Sequence, residues 1–555
     1  DLSPLIWIAF IVILLVLMGL PAYWLIFRSF SLPRGGGITL ENYVEVFTNP
    51  RFLQAILNSI ILGIGSSIIS VAIGTTMAWA IARTNMPLRG LIRSLLLVAF
   101  AIPPFLGGIA WIMLTAPQSG WLNKIYMSLT GAETGPFNIY SMAGAIFVVG
   151  LYSYPYVFLL VSSSLELISS ELEDAATILG AKPLQMTLRI TLPLVLPSII
   201  SGFILSFLEA IALFGSPTMI LIPARVNVIT TEIWQEFAYP PNVELACAFS
   251  ICMLAFTILL LWVQRSIIGR KKYTTLTGKV GRKRPIDLGI WRWLAFLYCF
   301  CVVTLSLLLP ILVLLKTSLS QSWGQPFTLD TFTLKWFQDV LFVQPFTSIS
   351  IVNTLTYCGG AAAASIIIAT AIAYLVKREI IPLGRWLEFI TMLPVAIPGI
   401  VIAVGIFTAY TRPPLLLYGT WAILVVAFTT RFLPVAYSNV GNLIESIDPD
   451  LEKVARNLGA TQIGTVQTIT IPLLKRGLIG SWLLVFMLAA RELSSAILLY
   501  TDRTQVLSTA IFKLFNEGSF ERVAALGIVM LIIVFATVGI AYWILGRDFL
   551  LEKNN

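Results

Sequence analysis

The sequence predicts an all-α integral membrane protein of about twelve transmembrane helices, built as two parallel six-helix repeats related by a pseudo-twofold axis. Three observations predict it. Hydrophobic residues fill 58% of the 555 positions and charged residues only 11%, with a mean hydropathy of +0.90, a balance that a water-soluble chain of this length could not sustain. Apolar stretches long enough to cross about 30 Å of hydrocarbon recur along the whole chain. Short polar and proline motifs occur twice, in the same order and at constant offsets.

The first six stretches lie near 5–27, 55–82, 91–116, 141–165, 197–222 and 244–264. The second six lie near 290–316, 350–376, 387–410, 419–440, 477–500 and 521–545. They are continuously apolar rather than alternating, so helices, not barrel strands, satisfy their backbone groups in lipid. The first stretch begins almost at Asp1, which is no initiator methionine, so a further N-terminal piece is expected. After the sixth stretch come Arg265, Arg270, Lys271, Lys272, Lys279, Arg282, Lys283 and Arg284 with no Asp or Glu among them, which puts this connection in the cytoplasm. The loops 83–93 and 377–385 then fall on the same side. The net charge of +9 is therefore mostly topology, and a nucleic-acid partner is not indicated. The expected organisation is a first module over 1–264, a basic cytoplasmic linker over 265–289 and a second module over 290–555.

The repeat shows at several points. One offset carries Asn58-Ser59 onto Asn353-Thr354, Pro87-Leu88 onto Pro382-Leu383 and Ile102-Pro103 onto Ile397-Pro398. A shorter offset carries Gly180 onto Gly459 and Pro193-Leu194 onto Pro472-Leu473. The first half thus has extra residues between these groups, in the outward segment 117–140, a natural place for a docking feature. An even number of spans per module returns the chain to its starting side, which makes the modules parallel.

The most informative repeat is polar. Glu171-Leu-Glu173-Asp174-Ala175-Ala176 leads to Gly180, and Asp450-Leu-Glu452-Lys453-Val454-Ala455 leads to Gly459. Ser170-x-x-Glu173 has capping-box spacing, and Asp448-Pro449 places an N-cap acid before a proline at the first helical position. The acids Glu171, Glu173 and Asp174, and Asp450 and Glu452, fall in first turns where the helix dipole favours them, and the glycines stop each helix. Ala175-Ala176 and Val454-Ala455 leave low faces that another backbone can approach. Each loop encodes a short capped helix on the cytoplasmic side, and two equivalent helices present two equivalent handles to something in water.

These residues resemble the EAA loop of permease subunits in bacterial ABC importers. Asp174-Ala175-Ala176 stands in the E-A-A positions with Gly180 as the glycine, and the second copy departs further, with Lys453-Val454-Ala455 before Gly459. The resemblance implies that each loop is a coupling helix seated in a cytoplasmic ATPase, that two ATPase copies bind ATP and Mg, and that a periplasmic binding protein delivers the solute. A chain fusing two permease modules is similar to the ferric-iron branch, as is Arg491-Glu492-Leu493-Ser494-Ser495-Ala496. Thiamine and aminoethylphosphonate importers also have fused permeases, so these cargoes remain alternatives.

No G-x-x-x-x-G-K-[ST] phosphate loop is present; Gly278-Lys279-Val280 lacks the upstream glycine and the hydroxyl. The chain is therefore expected to be a transport subunit, not an enzyme, with no cofactor and no metal site of its own. It has no histidine, which removes the commonest proton relay, and its five cysteines sit in or beside apolar spans as packing residues. A twelve-span secondary transporter is the rival class, and it would not need the paired loops. Glu209, Arg431, Arg491 and Glu492 are the candidate path residues, since charges inside spans face a cavity or a partner. Two readings stay open: Glu209 and Glu492 attract a cationic or iron-bearing solute, or an arginine neutralises them in a buried structural pair. Tyr152, Tyr154, Tyr410 and Tyr437 read as interface anchors, with phenolate ligands as the alternative.

Overall fold

A computed structural model describes residues 3–33, 37–168, 180, 183–269, 285–381 and 384–545. Among these residues, ten helices are long and apolar enough to cross a membrane. They are α1 (Ile8–Ser29), α2 (Pro50–Arg83), α5 (Met142–Leu167), α6 (Thr187–Ala212), α7 (Val243–Ser266), α8 (Gly289–Ser318), α9 (Pro345–Lys377), α12 (Trp421–Glu445), α14 (Gln462–Ala490) and α15 (Phe520–Ala541). Two further apolar helix pairs are sharply bent: α3 (Arg89–Ala101) turns by 97° into α4 (Pro104–Thr115), and α10 (Gly384–Ala396) by 110° into α11 (Gly399–Tyr410), which brings the number of spans to twelve if each pair is one span. A short helix, α13 (Pro449–Asn457), precedes α14. Among the described residues there is no β-strand, only isolated bridges.

The breaks correct the expectation of single spans over 91–116 and 387–410, and the repeated Ile-Pro dipeptide is their cause. A residue before proline is pushed out of the α region by the ring. Ile102 accordingly sits at φ −67°, ψ 128° and Ile397 at φ −96°, ψ 118°. The fifth and eleventh spans also shift toward the N-terminus. Both helices begin with polar turns, Thr187 to Thr191 and Gln462 to Thr470, that a hydropathy reading passes over, and α14 ends at Ala490 rather than running to 500. Arg491 and Glu492 consequently stand beyond the end of that helix.

Four prolines inside the spans follow π-turns, which loosen the ladder where a donor is missing. Leu15–Gly19, Thr187–Thr191, Thr304–Leu308 and Val466–Thr470 are such turns, and Pro21, Pro193, Pro310 and Pro472 follow them. Pro21 cannot bond the Leu17 carbonyl one turn back, and the Thr430 hydroxyl donates to it instead at 3.2 Å. The neighbouring Val16 carbonyl accepts from the Tyr410 hydroxyl.

The compact units divide the chain along lines other than the sequence repeat. One unit comprises 1–47, 233–254 and 333–555; the other comprises 48–232 and 255–332. In the second of these, α2 packs most extensively on α5, through small residues. Ser70 Oγ donates to the Gly150 carbonyl at 3.0 Å, and a Cβ on Gly74 would lie 2.8 Å from the Tyr154 carbonyl oxygen, so glycine is what lets the backbones approach. In the first, α9 buries Ala361, Ala362, Ser365, Ala369 and Ala373, and packs most extensively on α12. The expected outward segment 117–140 contains a helix, Trp121–Thr130, organised by fully buried Asn123, whose amide donates to the Ala116 and Phe137 carbonyls at 2.9 and 2.8 Å.

Candidate functional site: the coupling helix and the broken span

The chain around α13 folds as its caps predict. Asp448 accepts the Asp450 amide at 3.0 Å, Pro449 opens the helix, and Asp450 and Glu452 occupy the first turn. Gly459 ends it with φ +95°, its amide bonded to the Arg456 carbonyl at 3.0 Å while the Ala460 amide reaches the Ala455 carbonyl at 3.1 Å, the paired bonds of a Schellman motif. In the first half, Gly180 shows the same left-handed backbone, φ +81°. Glu171, Glu173, Asp174, Ala175 and Ala176 lie outside the described residues.

Glu452 is the one residue of α13 that is buried. Its Oε1 accepts from Arg378 Nε at 3.2 Å, Arg378 Nη2 at 3.0 Å and Thr470 Oγ1 at 3.1 Å, and its Oε2 accepts from the Tyr374 hydroxyl at 3.1 Å. Arg378 Nη2 also donates to the Ile447 carbonyl at 3.1 Å, just ahead of the cap. The opposite face is apolar and open: Leu451 is 50% exposed, Val454 57% and Leu458 84%. With Ala455, Thr468, Ile469, Pro472 and Leu473 these residues line a groove of about 530 Å³. The face is thus a ridge and groove, broader than the low Val454-Ala455 patch expected from sequence. Lys453 and Asp450 pair at 2.8 Å on the exposed side, and that hydrogen bond, with the acid's charge, holds the ammonium pKa above its ordinary value.

Sequence reading missed Arg378, Tyr374 and Thr470 as partners of this helix. In sequence Arg378 is one basic residue of the loop 377–385, and the available signal is its repeat: Arg83, Trp79 and Thr191 occupy the matching positions of the first half.

The candidate path residues are placed separately. Arg431 donates from Nη1 to the Ile397 carbonyl at 2.6 Å and the Pro394 carbonyl at 3.5 Å, at the C-terminal end of α10. Glu492 Oε1 accepts the Ser495 amide at 3.0 Å and lies where a Cβ on Gly399 would come within 3.0 Å, at the N-terminal end of α11. A cation at carbonyl ends and a carboxylate at amide ends are the electrostatically favoured arrangement. Arg431 therefore serves backbone carbonyls at the break, a role that neither of the two open readings included. Glu209 is half-buried near the end of α6, and its carbonyl accepts the Leu213 amide at 2.9 Å. Arg491, half-buried, caps the end of α14. Tyr152, Tyr154, Tyr410 and Tyr437 are all buried in protein, against the expectation of interface anchors.

An apolar multi-span chain with two copies of one capped-loop pattern matches a known family twice. The profile of the binding-protein-dependent transport system inner membrane component aligns with residues 70–273 and 365–547. The chain belongs to this family. Its members are permeases of ABC importers, for which the EAA loop and its coupling helix are family features. This permease is 27% identical over 517 residues to the ferric transport system permease protein FbpB of Actinobacillus pleuropneumoniae, covering 91% of this chain and 73% of that one. It is 23% identical over 554 residues to the Fe(3+)-transport system permease protein FbpB 2 of Haemophilus influenzae, covering 98% of each. Over 228 residues it is 31% identical to the putative 2-aminoethylphosphonate transport system permease protein PhnV of Salmonella paratyphi A, covering 40% of this permease and 84% of the relative.

Proposed function

We propose that this permease forms the membrane pathway of an importer that carries ferric iron from a periplasmic binding protein into the cytoplasm by alternating access. It is a transport subunit without an ATPase site. Two copies of a separate cytoplasmic ATPase bind ATP and Mg and engage α13 and its first-half counterpart around Asp174, Ala175 and Ala176. The observation that carries this reading is the exposed apolar ridge Leu451, Val454 and Leu458 on a helix whose only buried residue is a charged one. Such a helix leaves its apolar face available to a partner. Iron as cargo is supported by the full-length likeness to two ferric permeases, and the aminoethylphosphonate alternative by the likeness of one half to PhnV.

Within that pathway we place Arg431 and Glu492 at the broken span, with Glu209 and Arg491 as further candidates. Charged groups at a helix break inside a membrane protein are the usual means of handling an ionic solute. The test is reconstitution in vesicles with a cognate ATPase and binding protein. Uptake of ferric iron that requires ATP and the binding protein is expected. Uptake of aminoethylphosphonate instead would replace the cargo, and transport driven by an ion gradient without ATP would overturn the importer reading.

A further inference from the structure

We infer that the buried cluster of Glu452, Arg378, Tyr374 and Thr470 is a rigid latch that transmits the motor's displacement from α13 to the spans α9 and α14, so that it sets how much solute moves per ATP hydrolysed. This inference rests on the importer reading and adds the positioning residues that make it mechanically effective.

The argument starts from how α13 is mounted. A helix of nine residues is marginal on its own in water, so its position depends on tertiary contacts. Burial along α13 is confined to Glu452; its other residues are exposed or half-exposed. Apolar packing is non-directional and permits sliding, whereas the guanidinium fork fixes distance and angle together. Arg378 bonds the chain at two points, the Ile447 carbonyl before the cap and the Glu452 carboxylate in the first turn, and so fixes both the position and the tilt of the helix start. Tyr374 and Arg378 belong to the end of α9 and the turn after it, while Thr470 lies in the π-turn of α14. A push on the Leu451 and Val454 face therefore reaches two spans through one carboxylate. The side chains of Arg378 and Glu452 are only 11% and 9% exposed, so water does not screen the pair as it would a surface ion pair.

The first half carries the same parts in register. Arg83 is buried at the end of α2, Thr191 is buried in the π-turn of α6, and Trp79 takes the place of Tyr374, again an aromatic body with one polar hydrogen. Glu173 occupies the position equivalent to Glu452. Glu452, one step before the E-A-A positions, thus faces the permease rather than the motor.

The experiment uses the full complex in vesicles, with uptake and ATP hydrolysis measured on the same preparation. Arg378→Gln is expected to co-purify with the ATPase and hydrolyse ATP while solute moved per ATP falls about tenfold, within the range of ordinary coupling energies. Arg378→Lys should recover part of that ratio, and Tyr374→Phe, which removes a single donor, should lower it about threefold. A purely structural role would reduce the yield of complex and leave the ratio unchanged. An unchanged ratio in Arg378→Gln overturns the inference; if that variant does not assemble, an unchanged ratio in both Arg378→Lys and Tyr374→Phe does so. Failure of the wild-type permease to bind any ATPase overturns the importer reading, and this inference with it.

Discussion

The bend between α3 and α4 and the bend between α10 and α11 are made by the same Ile-Pro dipeptide, yet different side chains line them. Where the second half has Arg431, Glu492 and Ile402, the first has Tyr152, Leu213 and Gly107. The bend over 102–103 forms without a guanidinium or a carboxylate at those positions, with Ser216 Oγ donating to the Pro104 carbonyl at 2.7 Å. Charge is therefore not what breaks a helix here; proline is. The two charged residues at the second bend answer to some other requirement, and under the proposed function that requirement is an ionic cargo. The latch behind the coupling helix shows the opposite pattern, since its arginine and threonine recur unchanged in both halves. On the proposed function, what both modules do alike, take up the motor's stroke, is built twice, and what one of them does is built once.

The largest expected effect tests the first bend. A Cβ on Gly107 would collide with the Tyr152 ring. Gly107→Ile, which copies the second half, should destabilise the protein by about 3 kcal/mol or more in thermal unfolding, since overpacking a filled site displaces backbone. A tolerated substitution would show that the two bends are interchangeable. Next in size is Arg431→Leu, which leaves the Ile397 carbonyl without its 2.6 Å donor and should cost about 1–3 kcal/mol, together with loss of uptake. Glu492→Gln keeps an oxygen for the Ser495 amide, so its stability should stay within about 0.5 kcal/mol of wild type while iron uptake falls several-fold. Retained uptake with lower stability would make Glu492 a capping residue only.

The smallest effect concerns Lys453, which faces solvent where the first half has Asp174. Because Asp450 raises the lysine pKa, the pair's contribution is fully present below the ordinary value of 10.5 and is lost as pH rises through the higher, folded one. Lys453→Asp should leave thermal unfolding at neutral pH unchanged and alter only the salt dependence of ATPase association.

Much of this was legible in the sequence, and the reasons differ by element. The spans follow from hydropathy, and α13 was written out by Asp448-Pro449 at one end and Gly459 at the other. The Ile-Pro dipeptides were visible as a repeat, but a hydropathy window averages across them, so two bent pairs read as straight spans. Arg378 shows a different limit. A basic residue at the cytoplasmic end of a span satisfies the topology rule without further role, so nothing in its own surroundings separates it from Lys377 or Arg385. Only its recurrence as Arg83, matched to Glu452 through the fold, marks it. Arg491 and Glu492 were misplaced because Leu498, Leu499 and Tyr500 extend the apolar run past the end of the helix at Ala490.

The most direct measurement is amide hydrogen exchange over residues 449–459 in the permease with and without its ATPase. The amides of Leu451 to Leu458 are expected to become protected when the ATPase binds and to lose that protection with Leu458→Asp. Unchanged exchange across this segment, with protection arising instead on other cytoplasmic loops, would contradict that expectation.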